Sequence, residues 1–372
     1  MKEKKRAKTI IFTGGHHNSA LVVAKLLVKK GFKVIWFGHK HTMFREKSLS
    51  AEFLEIKDAG IPFVELKTGK FYRTLNPLIL LKIPFGFFQA FGLLIKYKPS
   101  LIVSFGGYLA VPVVLGGWFL RIPSVTHEQT TTIGVANKFI SFFTRKIFLT
   151  WDSSRSFFPK NKTRVVGLPV RKEFLNMKRK KNIFLEKLPT ILILGGKQGS
   201  HILNQTIMES LSLLLEQYNI IHQTGFSQKT KDFEKLKIIK KGLSQKLKER
   251  YLIKPYFFKE ELVEVINSAD LVVGRSGAHT VYELALLEKP AILIPYPWSY
   301  RKEQELNAKI LAESGMALIL QQKNLKNLEN EIDNMVDNLD LLKKKAAIFR
   351  KKIRINAAGL MLQELEKLVA EY

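Results

Sequence analysis

Cysteine is absent from this chain of 372 residues, which excludes disulfide bonds and thiolate metal sites. The eight histidines show no spacing typical of zinc, so no metal site is expected. The apolar run after the basic N-terminus stops at Thr13, Gly14 and Gly15, too early for the core of a signal peptide. The sequence therefore favours a reducing compartment and predicts no export.

Acidic residues are scarce beside basic ones: 32 Asp and Glu stand against 61 Lys and Arg, a formal net charge of +29. A charge of this sign attracts polyanions and anionic lipid surfaces. The alternative is a lysine-rich composition spread over solvated helices, such as residues 229–250. The positive sign of the charge therefore indicates an anionic partner. Its size is explained either by such a partner or by a lysine-rich composition.

Residues 99–120 carry no charge over about the length of a membrane-spanning helix. Gly106 with Gly107, Pro112, and Gly116 with Gly117 interrupt this stretch. The interruptions predict a short strand, LIVSF, followed by a turn and a helix rather than a span.

The sequence lacks both a G-x-G-x-x-G fingerprint and a P-loop, which disfavours a nicotinamide dinucleotide and a Mg-nucleoside triphosphate. Three apolar runs nevertheless lead into small-residue turns, within residues 9–20, 191–205 and 269–283. A strand, a tight turn and a helix start suit a phosphate, and Glu283 could accept both hydroxyls of a ribose. The alternative is an ordinary strand-to-helix turn with a solvated Glu283.

Short β-branched runs alternate with longer amphipathic segments, which predicts parallel sheets covered by helices. The expected strands are residues 9–12, 33–37, 101–105, 124–127 and 146–149, and then 190–194, 220–223, 271–273 and 291–294. Two such sets predict two Rossmann-like domains with ligands beyond the carboxyl ends of the strands.

A charge-rich stretch separates the two sets and is interpreted as a hinge. The expected divisions are an N-terminal domain at residues 1–170, the hinge at 171–188, a C-terminal domain at 189–345 and a C-terminal helix at 346–372. This last helix is expected to pack back on the N-terminal domain.

Four motifs occur in order: GGYLAVP (106–112), RIPSVTHEQ (121–129), GGKQGSHILNQ (195–205) and RSGAHTVYE (275–283). Together they resemble the MurG family, the lipid-pyrophosphate N-acetylglucosaminyltransferases of peptidoglycan synthesis in glycosyltransferase family 28. The resemblance runs collinearly from residue 13 to about residue 308, and the linked motifs are more specific than any single one. It implies an α/β GT-B fold, in which two Rossmann-like domains hold parallel sheets that face each other across a cleft.

The resemblance also implies an activity. The family transfers GlcNAc from UDP-GlcNAc to the MurNAc 4-hydroxyl of lipid I, which is undecaprenyl-pyrophosphoryl-MurNAc-pentapeptide, and forms lipid II with inversion at the anomeric carbon. The implied partners are therefore UDP-GlcNAc, lipid I and an anionic membrane surface, with no nucleic acid and no cofactor. The implied location is peripheral, on the cytoplasmic face of the cell membrane.

Donor-binding residues follow from the same resemblance. Glu283 matches the glutamate that holds the ribose, Gln304 matches a glutamine on the sugar hydroxyls, and Arg171, in GLPVR, matches an arginine near the donor. The other substrate contacts expected in the C-terminal domain are Gly195, Gly196, Lys197, Gln198, Gly199, Ser200, Phe258, Arg275, Ser276, Gly277, Ala278, His279, Thr280 and Val281.

The N-terminal domain is expected to face the acceptor. The residues implied there are Thr13, Gly14, Gly15, His127, Gln129 and Thr130. Several positions depart from the family pattern: HNSA at 17–20 replaces an apolar residue and a Pro-Ala pair, Thr130 and Leu168 replace asparagines, Lys197 replaces a serine and Arg301 an acidic residue. The departures leave the residues for donor recognition mostly intact. They keep open the alternative that the acceptor is a different lipid.

An inverting transfer needs a base for the attacking hydroxyl and stabilisation of the charge on departing UDP. His16 is the expected base, because histidine ordinarily titrates close to neutral pH; Glu128 is expected to orient it or to replace it. Backbone N–H groups at residues 277–280, the helix dipole, and Arg171 or Lys197 can meet the charge on UDP, so no bound metal is required. The alternative roles are a loop-capping histidine for His16 and a core histidine for His127.

A lipid acceptor requires the enzyme to reach the bilayer. Residues 76–98 mix Leu, Ile and Phe with lysines, as a membrane-surface patch does. The expected membrane contacts are Phe85, Phe87, Phe88, Phe91 and the interfacial Trp118. The alternative is a buried core helix.

Two other functions stay open on the sequence alone. One is a GT-B transferase for another lipid acceptor, such as a diacylglycerol glycolipid synthase. The other is a non-catalytic protein that binds a nucleotide sugar without turnover.

Overall fold

The computed structural model of the chain describes residues 7–41, 49–69, 82–175 and 182–371. Residues 76–81 of the predicted membrane segment and 176–181 of the predicted hinge lie outside these ranges. The chain divides into two compact units, the first of Met1–Arg171 with Arg354–Tyr372 and the second of Lys172–Ile353.

Strands and helices alternate along the first unit. Its strands are β1 Thr9–Gly14, β2 Lys33–Gly38, β3 Phe63–Glu65, β4 Leu101–Phe105, β5 Ser124–Glu128, β6 Lys146–Leu149 and β7 Thr163–Val165. The helices between them are α1 His17–Lys29, α2 Ala51–Asp58, α3 Lys82–Tyr97, α4 Ala110–Phe119 and α5 Val135–Ile140, with 3₁₀ turns at Asp152–Phe157 and Lys160–Lys162.

A parallel sheet with the order β3-β2-β1-β4-β5-β6-β7 forms the centre of the first unit. Every residue of β4 and β5 is buried, because helices cover both faces of such a sheet. The strand order reverses between β1 and β4. Ligands of open α/β sheets bind at such a switch point.

The second unit repeats this arrangement. Its strands are β8 Thr190–Leu194, β9 Asn219–Gln223, β10 Tyr251–Lys254, β11 Leu271–Gly274, β12 Ala291–Leu293 and β13 Ala317–Ile319. Its helices are α6 Lys172–Leu175, α7 His201–Gln217, α8 Asp232–Gly242, α9 Gln245–Glu249, α10 Lys259–Ser268, α11 Ala278–Leu286, α12 Glu303–Glu313, α13 Leu328–Asp337 and α14 Leu339–Arg350, with 3₁₀ turns at Tyr300–Lys302 and Gln322–Asn327.

The sheet of the second unit is also parallel, with the order β10-β9-β8-β11-β12-β13. Strand β8 is buried along its whole length, and α7 packs Leu203, Ile207 and Leu211 into the core beside it. The order reverses between β8 and β11, so the second unit has a switch point of the same kind as the first.

The last helix, α15 Ala357–Ala370, belongs to the first unit. Its buried side chains Met361, Leu365 and Leu368 join the core that contains Ile10 and Phe12 of β1. The chain therefore returns to its first strand to complete the core of the first unit.

A buried carboxylate fixes α15 in this position. Glu364, 3% exposed, accepts hydrogen bonds from Lys146 on β6 and Arg164 on β7. Burial by itself raises the pKa of Glu364, but these two cations and Lys367 outweigh it and hold the pKa below its usual value.

The predicted α/β architecture of two parallel sheets is confirmed. The strands predicted from the sequence are all present, with ends that agree to within a residue or two. Residues 99–120 form β4, a turn and α4, as predicted. Within the described ranges, no helix is both long and apolar enough to cross a membrane.

Candidate functional site

The turn after β8 brings backbone atoms into close contact with the turn after β9. Gly199 has a φ of +86°, and a Cβ built there would lie 2.1 Å from the carbonyl oxygen of Thr224. A Cβ on Gly225, at φ +88°, would collide with Gly199 in the same way. Glycine is therefore required at both positions. Ser200, the N-cap of α7, makes no side-chain cap hydrogen bond within the described part of the chain, and a helix N-terminus of this kind suits an anion.

A buried polar network holds this turn in place. Asn204 of α7 donates to the Thr224 carbonyl (2.9 Å) and to the Asp232 carboxylate (2.8 Å). Asp232 also contacts Nδ1 of His201 at 2.8 Å, and His222 contacts Asn204 at 3.1 Å. Burial lowers the pKa of His222 to about 3, so His222 is neutral in this network. Asn204 and Asp232 were not predicted as site residues, although Asn204 lies in the quoted motif.

Arg275 joins three loops at the carboxyl edge of the second sheet. Its guanidinium donates to the Ser200 hydroxyl (2.8 Å), the Ile294 carbonyl (3.1 Å) and the Gln322 side chain (2.8 Å). It also lies 5.6 Å from the Tyr296 ring centroid. These bonds occupy Arg275 within the protein, so it positions the loops around the predicted donor site.

Helix α11 begins at the third predicted turn, within residues 269–283. Gly277 occupies the N-cap without a side-chain cap, so N–H groups of the first turn of α11 face outward. Glu283 lies farther along the same helix, 3.8 Å from Nδ1 of His279. Its side chain is 17% exposed, which suits a carboxylate that binds hydroxyl groups at the surface of a site.

The β12–α12 loop holds Gln304 in a fixed orientation. The Tyr296 N–H donates to Oε1 of Gln304 at 3.0 Å, and the Ser276 hydroxyl donates to the Gln304 carbonyl at 2.8 Å. Arg301 and Lys302 both adopt left-handed φ values, +48° and +56°. A left-handed backbone conformation costs on the order of 1–2 kcal/mol for a residue other than glycine. Backbone strain of this kind is typical of functional loops.

The predicted contact Phe258 lies at the same edge of the second sheet. Its ring lies 4.9 Å from that of Tyr256 and 6.3 Å from that of Phe226. The Phe226 N–H donates to the Lys197 carbonyl at 3.2 Å. The aromatic group therefore adjoins the turn after β8.

Two glycine pairs meet at the switch point of the first unit. A Cβ on Gly15 would lie 3.1 Å from Cα of Gly107, and the Gly15 N–H donates to the Gly106 carbonyl at 3.0 Å. Gly106 and Gly107 have φ values of +74° and +77°. This contact places His16 at the N-cap of α1, where its side chain makes no cap hydrogen bond within the described residues.

Glu128 is surrounded by hydrogen-bond donors. One carboxylate oxygen accepts from the backbone N–H (3.2 Å) and hydroxyl (2.9 Å) of Thr130. The other accepts from the Gly134 N–H (3.0 Å) and the Asn137 amide (2.9 Å). With 2% exposure and four donors, this carboxylate orders the β5–α5 loop. Asn137 was not predicted and has no signal in the sequence beyond its polarity.

The neighbours of Glu128 differ in their environments. His127 is fully buried, with Nε2 3.0 Å from the Gly167 carbonyl and its ring against Phe105, as expected for a core histidine. Gln129 is 1% exposed, yet neither atom of its amide has a hydrogen-bond partner within the described residues. Leaving a buried polar group unpaired costs about 1–3 kcal/mol, and the substrate contact expected of Gln129 stays a prediction.

A polar cluster occupies the N-terminus of α1, where the sequence departs from the family. His17 lies 3.7 Å from Glu55, and Arg171 donates to Asn18 (3.2 Å) and Glu55 (3.4 Å). Arg171 is thus held within the first unit, and its predicted donor contact stays a prediction.

Exposed aromatic side chains form one surface on α3, α4 and the end of α5. Phe85, Phe88, Trp118, Phe119, Phe139 and Phe142 are the exposed members. Ring contacts run in sequence from Phe88 through Phe87, Phe119, Trp118 and Phe143 to Phe139, with centroids 5.0–6.0 Å apart. Phe85 precedes Phe88 by three residues on α3, and Phe142 is next to Phe143. We call these residues the aromatic surface.

Both units match family models of known glycosyltransferases. Residues 9–149 match the glycosyltransferase family 28 N-terminal domain, and residues 190–358 match the family 28 C-terminal domain. Two Rossmann-like units that match the two domains of family 28 place the chain among the glycosyltransferases of the GT-B class.

Curated relatives and a solved structure narrow the class. A UDP-N-acetylglucosamine–N-acetylmuramyl-(pentapeptide) pyrophosphoryl-undecaprenol N-acetylglucosamine transferase of Bacillus cereus is 31% identical over 90% of this chain and 94% of its own length. The enzyme of that name from Clostridium botulinum is 32% identical, covering 97% of each chain. The crystal structure of Acinetobacter baumannii MurG superposes with a TM-score of 0.72 at 26% identity, covering 97% of this chain and 99% of that one. The chain belongs to glycosyltransferase family 28, in its MurG branch, and the predicted family is confirmed.

Proposed function

We propose that this protein transfers GlcNAc from UDP-GlcNAc to the MurNAc 4-hydroxyl of lipid I and forms lipid II with inversion. The observation that carries the proposal is the pair of glycine-built switch points, one in each unit, in a chain of the MurG branch. The second unit binds the donor, and the first unit binds the acceptor.

Donor binding uses backbone groups and one carboxylate. The turn after β8 and the start of α11 offer N–H groups and positive helix ends to the diphosphate. Glu283 accepts the ribose hydroxyls, and Gln304 binds the sugar hydroxyls. Lys197, which is exposed on the turn after β8, adds a positive charge where the family has serine.

The acceptor hydroxyl loses its proton to His16 as its oxygen attacks the anomeric carbon. UDP leaves from the opposite face of that carbon, which inverts its configuration. N–H groups at the start of α11 stabilise the negative charge on UDP, and they are preorganised because the helix fixes them. Glu128 acts as a positioning residue, since its oxygens already accept four hydrogen bonds.

The aromatic surface brings the enzyme to its lipid substrate. Phe88 is 70% exposed and Trp118 is 51% exposed, and a contiguous group of exposed apolar side chains marks a site of membrane or protein contact. Lys162 donates to the Phe142 carbonyl at 2.9 Å, so a cation stands beside the apolar rings. Aromatic rings with nearby lysines favour insertion at an anionic membrane interface, in agreement with the proposed cytoplasmic face and peripheral location.

The test is transfer of labelled GlcNAc in two parallel reactions, one with lipid I and one with diacylglycerol. We expect labelled product only with lipid I. Product only with diacylglycerol would replace the proposed acceptor, in keeping with the altered residues 17–20. Tight UDP binding with no product from either lipid would indicate the non-catalytic alternative.

A further inference from the structure

Trp298 is the single tryptophan between residues 172 and 353, and 70% of its surface is exposed. It lies in the β12–α12 loop at the carboxyl edge of the sheet, the edge where such sheets bind ligands. A large apolar ring exposed at this edge has a cost in water that a ligand surface can remove.

Two contacts link this ring to the sugar end of the proposed donor site. Trp298 packs edge-on against Tyr296, with ring centroids 5.4 Å apart. The Tyr296 N–H donates to Oε1 of Gln304 at 3.0 Å, and Gln304 is the residue proposed for the sugar hydroxyls. Trp298 is therefore within two contacts of the group that binds the sugar.

The loop is held rather than loose. The guanidinium of Arg275 lies 5.6 Å from the centroid of the Tyr296 ring, which packs against Trp298. The Gln304 N–H donates to the Ser299 hydroxyl at 3.4 Å. Arg301 and Lys302 keep left-handed backbone angles in the same loop. An aromatic ring on a fixed loop loses little conformational freedom when it binds a ligand.

We propose that Trp298 forms the platform for the GlcNAc ring of the donor and is a specificity-determining residue for the sugar. One face of a pyranose presents C–H groups, and this apolar face suits the surface of an indole ring. Gln304 then binds hydroxyl groups at the edge of the sugar, so the two side chains bind its apolar and polar parts. The inference rests on the proposed function, because it assumes UDP-GlcNAc as the donor.

Calorimetry with two ligands isolates the contact with the sugar. For Trp298→Ala we expect the affinity for UDP-GlcNAc to fall roughly tenfold, while the affinity for UDP, which has no sugar, changes less than about twofold. Trp298→Tyr should recover most of the loss, since an aromatic ring returns. Ile238→Ala, which removes an equally exposed side chain from α8, should bind both ligands as the parent does.

Tryptophan fluorescence gives an independent reading. UDP-GlcNAc should change the emission of the parent more than UDP does, and Trp298→Phe should abolish this difference. Equal losses for UDP and UDP-GlcNAc in Trp298→Ala would show that the ring only supports the loop, and unchanged affinities would show that it contacts no sugar. Either result overturns the inference while GlcNAc transfer by the parent still upholds the proposed function; a parent that does not transfer GlcNAc to lipid I would refute that function.

Discussion

A variant of Glu283 tests whether the start of α11 binds the ribose of the donor. Glu283→Ala should lose most of the thermal stabilisation that UDP-GlcNAc gives and weaken binding at least tenfold, because hydrogen bonds to a charged group contribute about 1.5–3 kcal/mol. Calorimetry with UDP measures the loss. Glu249→Ala, which removes an exposed carboxylate from α9, is the matched control. Equal UDP affinity in Glu283→Ala and the parent would refute the assignment.

His16 and Glu128 have separable roles. His16→Ala should lower kcat by roughly 100-fold or more, as loss of a general base does, with little change in donor affinity. Glu128→Gln keeps the shape of the side chain but removes the charge that four donors hold, so we expect reduced stability of the first unit together with reduced activity. If His16→Ala keeps its rate while a folded Glu128→Gln loses it, the base is Glu128.

Glu52 should make the stability of the first unit depend on pH. Burial raises its pKa to about 7 from 4.5, although a hydrogen bond from the Trp36 indole and nearby His17 lower it. Because the folded pKa is the higher one, the folded state binds the extra proton. Protonated Glu52 therefore contributes its full share to the free energy of unfolding below about pH 4.5. This share is lost as pH rises towards 7, at up to about 1.4 kcal/mol per pH unit.

Glu52→Gln tests this dependence, because an amide oxygen can still accept the Trp36 N–H but does not titrate. Thermal unfolding between about pH 5 and pH 8 should show a flatter profile in the variant than in the parent. Parallel profiles would assign the pH dependence to other groups.

Helix α15 contributes Met361, Leu365 and Leu368 to the core of the first unit, so the stability of this unit should depend on it. Leu365→Ala should destabilise the first unit by about 2–5 kcal/mol, since it leaves a cavity beside β1 in a core that cannot fully collapse. Gln363 is exposed on the opposite face of the same helix, so Gln363→Ala should leave the unfolding midpoint nearly unchanged. Denaturant unfolding compares the two, and equal effects would mean that α15 is not part of the folded core.

The whole molecule should bind membranes through two contributions that salt separates. Attraction of the +29 charge to anionic lipid is screened by salt, whereas burial of the aromatic surface contributes about 25 cal/mol per Å² and is not. Liposome co-sedimentation should show strong binding to anionic vesicles, weak binding to neutral ones and a residual bound fraction in high salt.

Phe85→Ser with Phe88→Ser should remove that residual fraction and only reduce low-salt binding, since both rings are exposed and their loss leaves the core intact. Leu185→Ser with Ile238→Ser, exposed apolar residues of the second unit, should bind as the parent does. A parent that ignores anionic vesicles would contradict the lipid-acceptor proposal itself.

The strands that sequence reasoning missed share one property. They are β3, β7, β10 and β13, and each lies at an edge of its sheet. An edge strand pairs on one side only, and these four strands are three or four residues long and partly exposed, with only Tyr251 of β10 buried. Apolar patterning therefore predicted the centres of both sheets and not their borders.

The sequence by itself determined the family, the central strands and the glycine turns, because these depend on residues adjacent in the chain. Tertiary structure alone decided which polar groups hold the turns: Arg275 reaches Ser200 and Gln322, and four donors surround Glu128. Hydrogen bonds depend on distance and direction in three dimensions. Neither the distant partners of Arg275 nor the nearby Thr130, Gly134 and Asn137 around Glu128 could be assigned from residue order alone. Trp298 and Gln304 are close in the chain, yet only the fold could show that Tyr296 contacts both of them and that the Trp298 ring is exposed at the carboxyl edge of the second sheet.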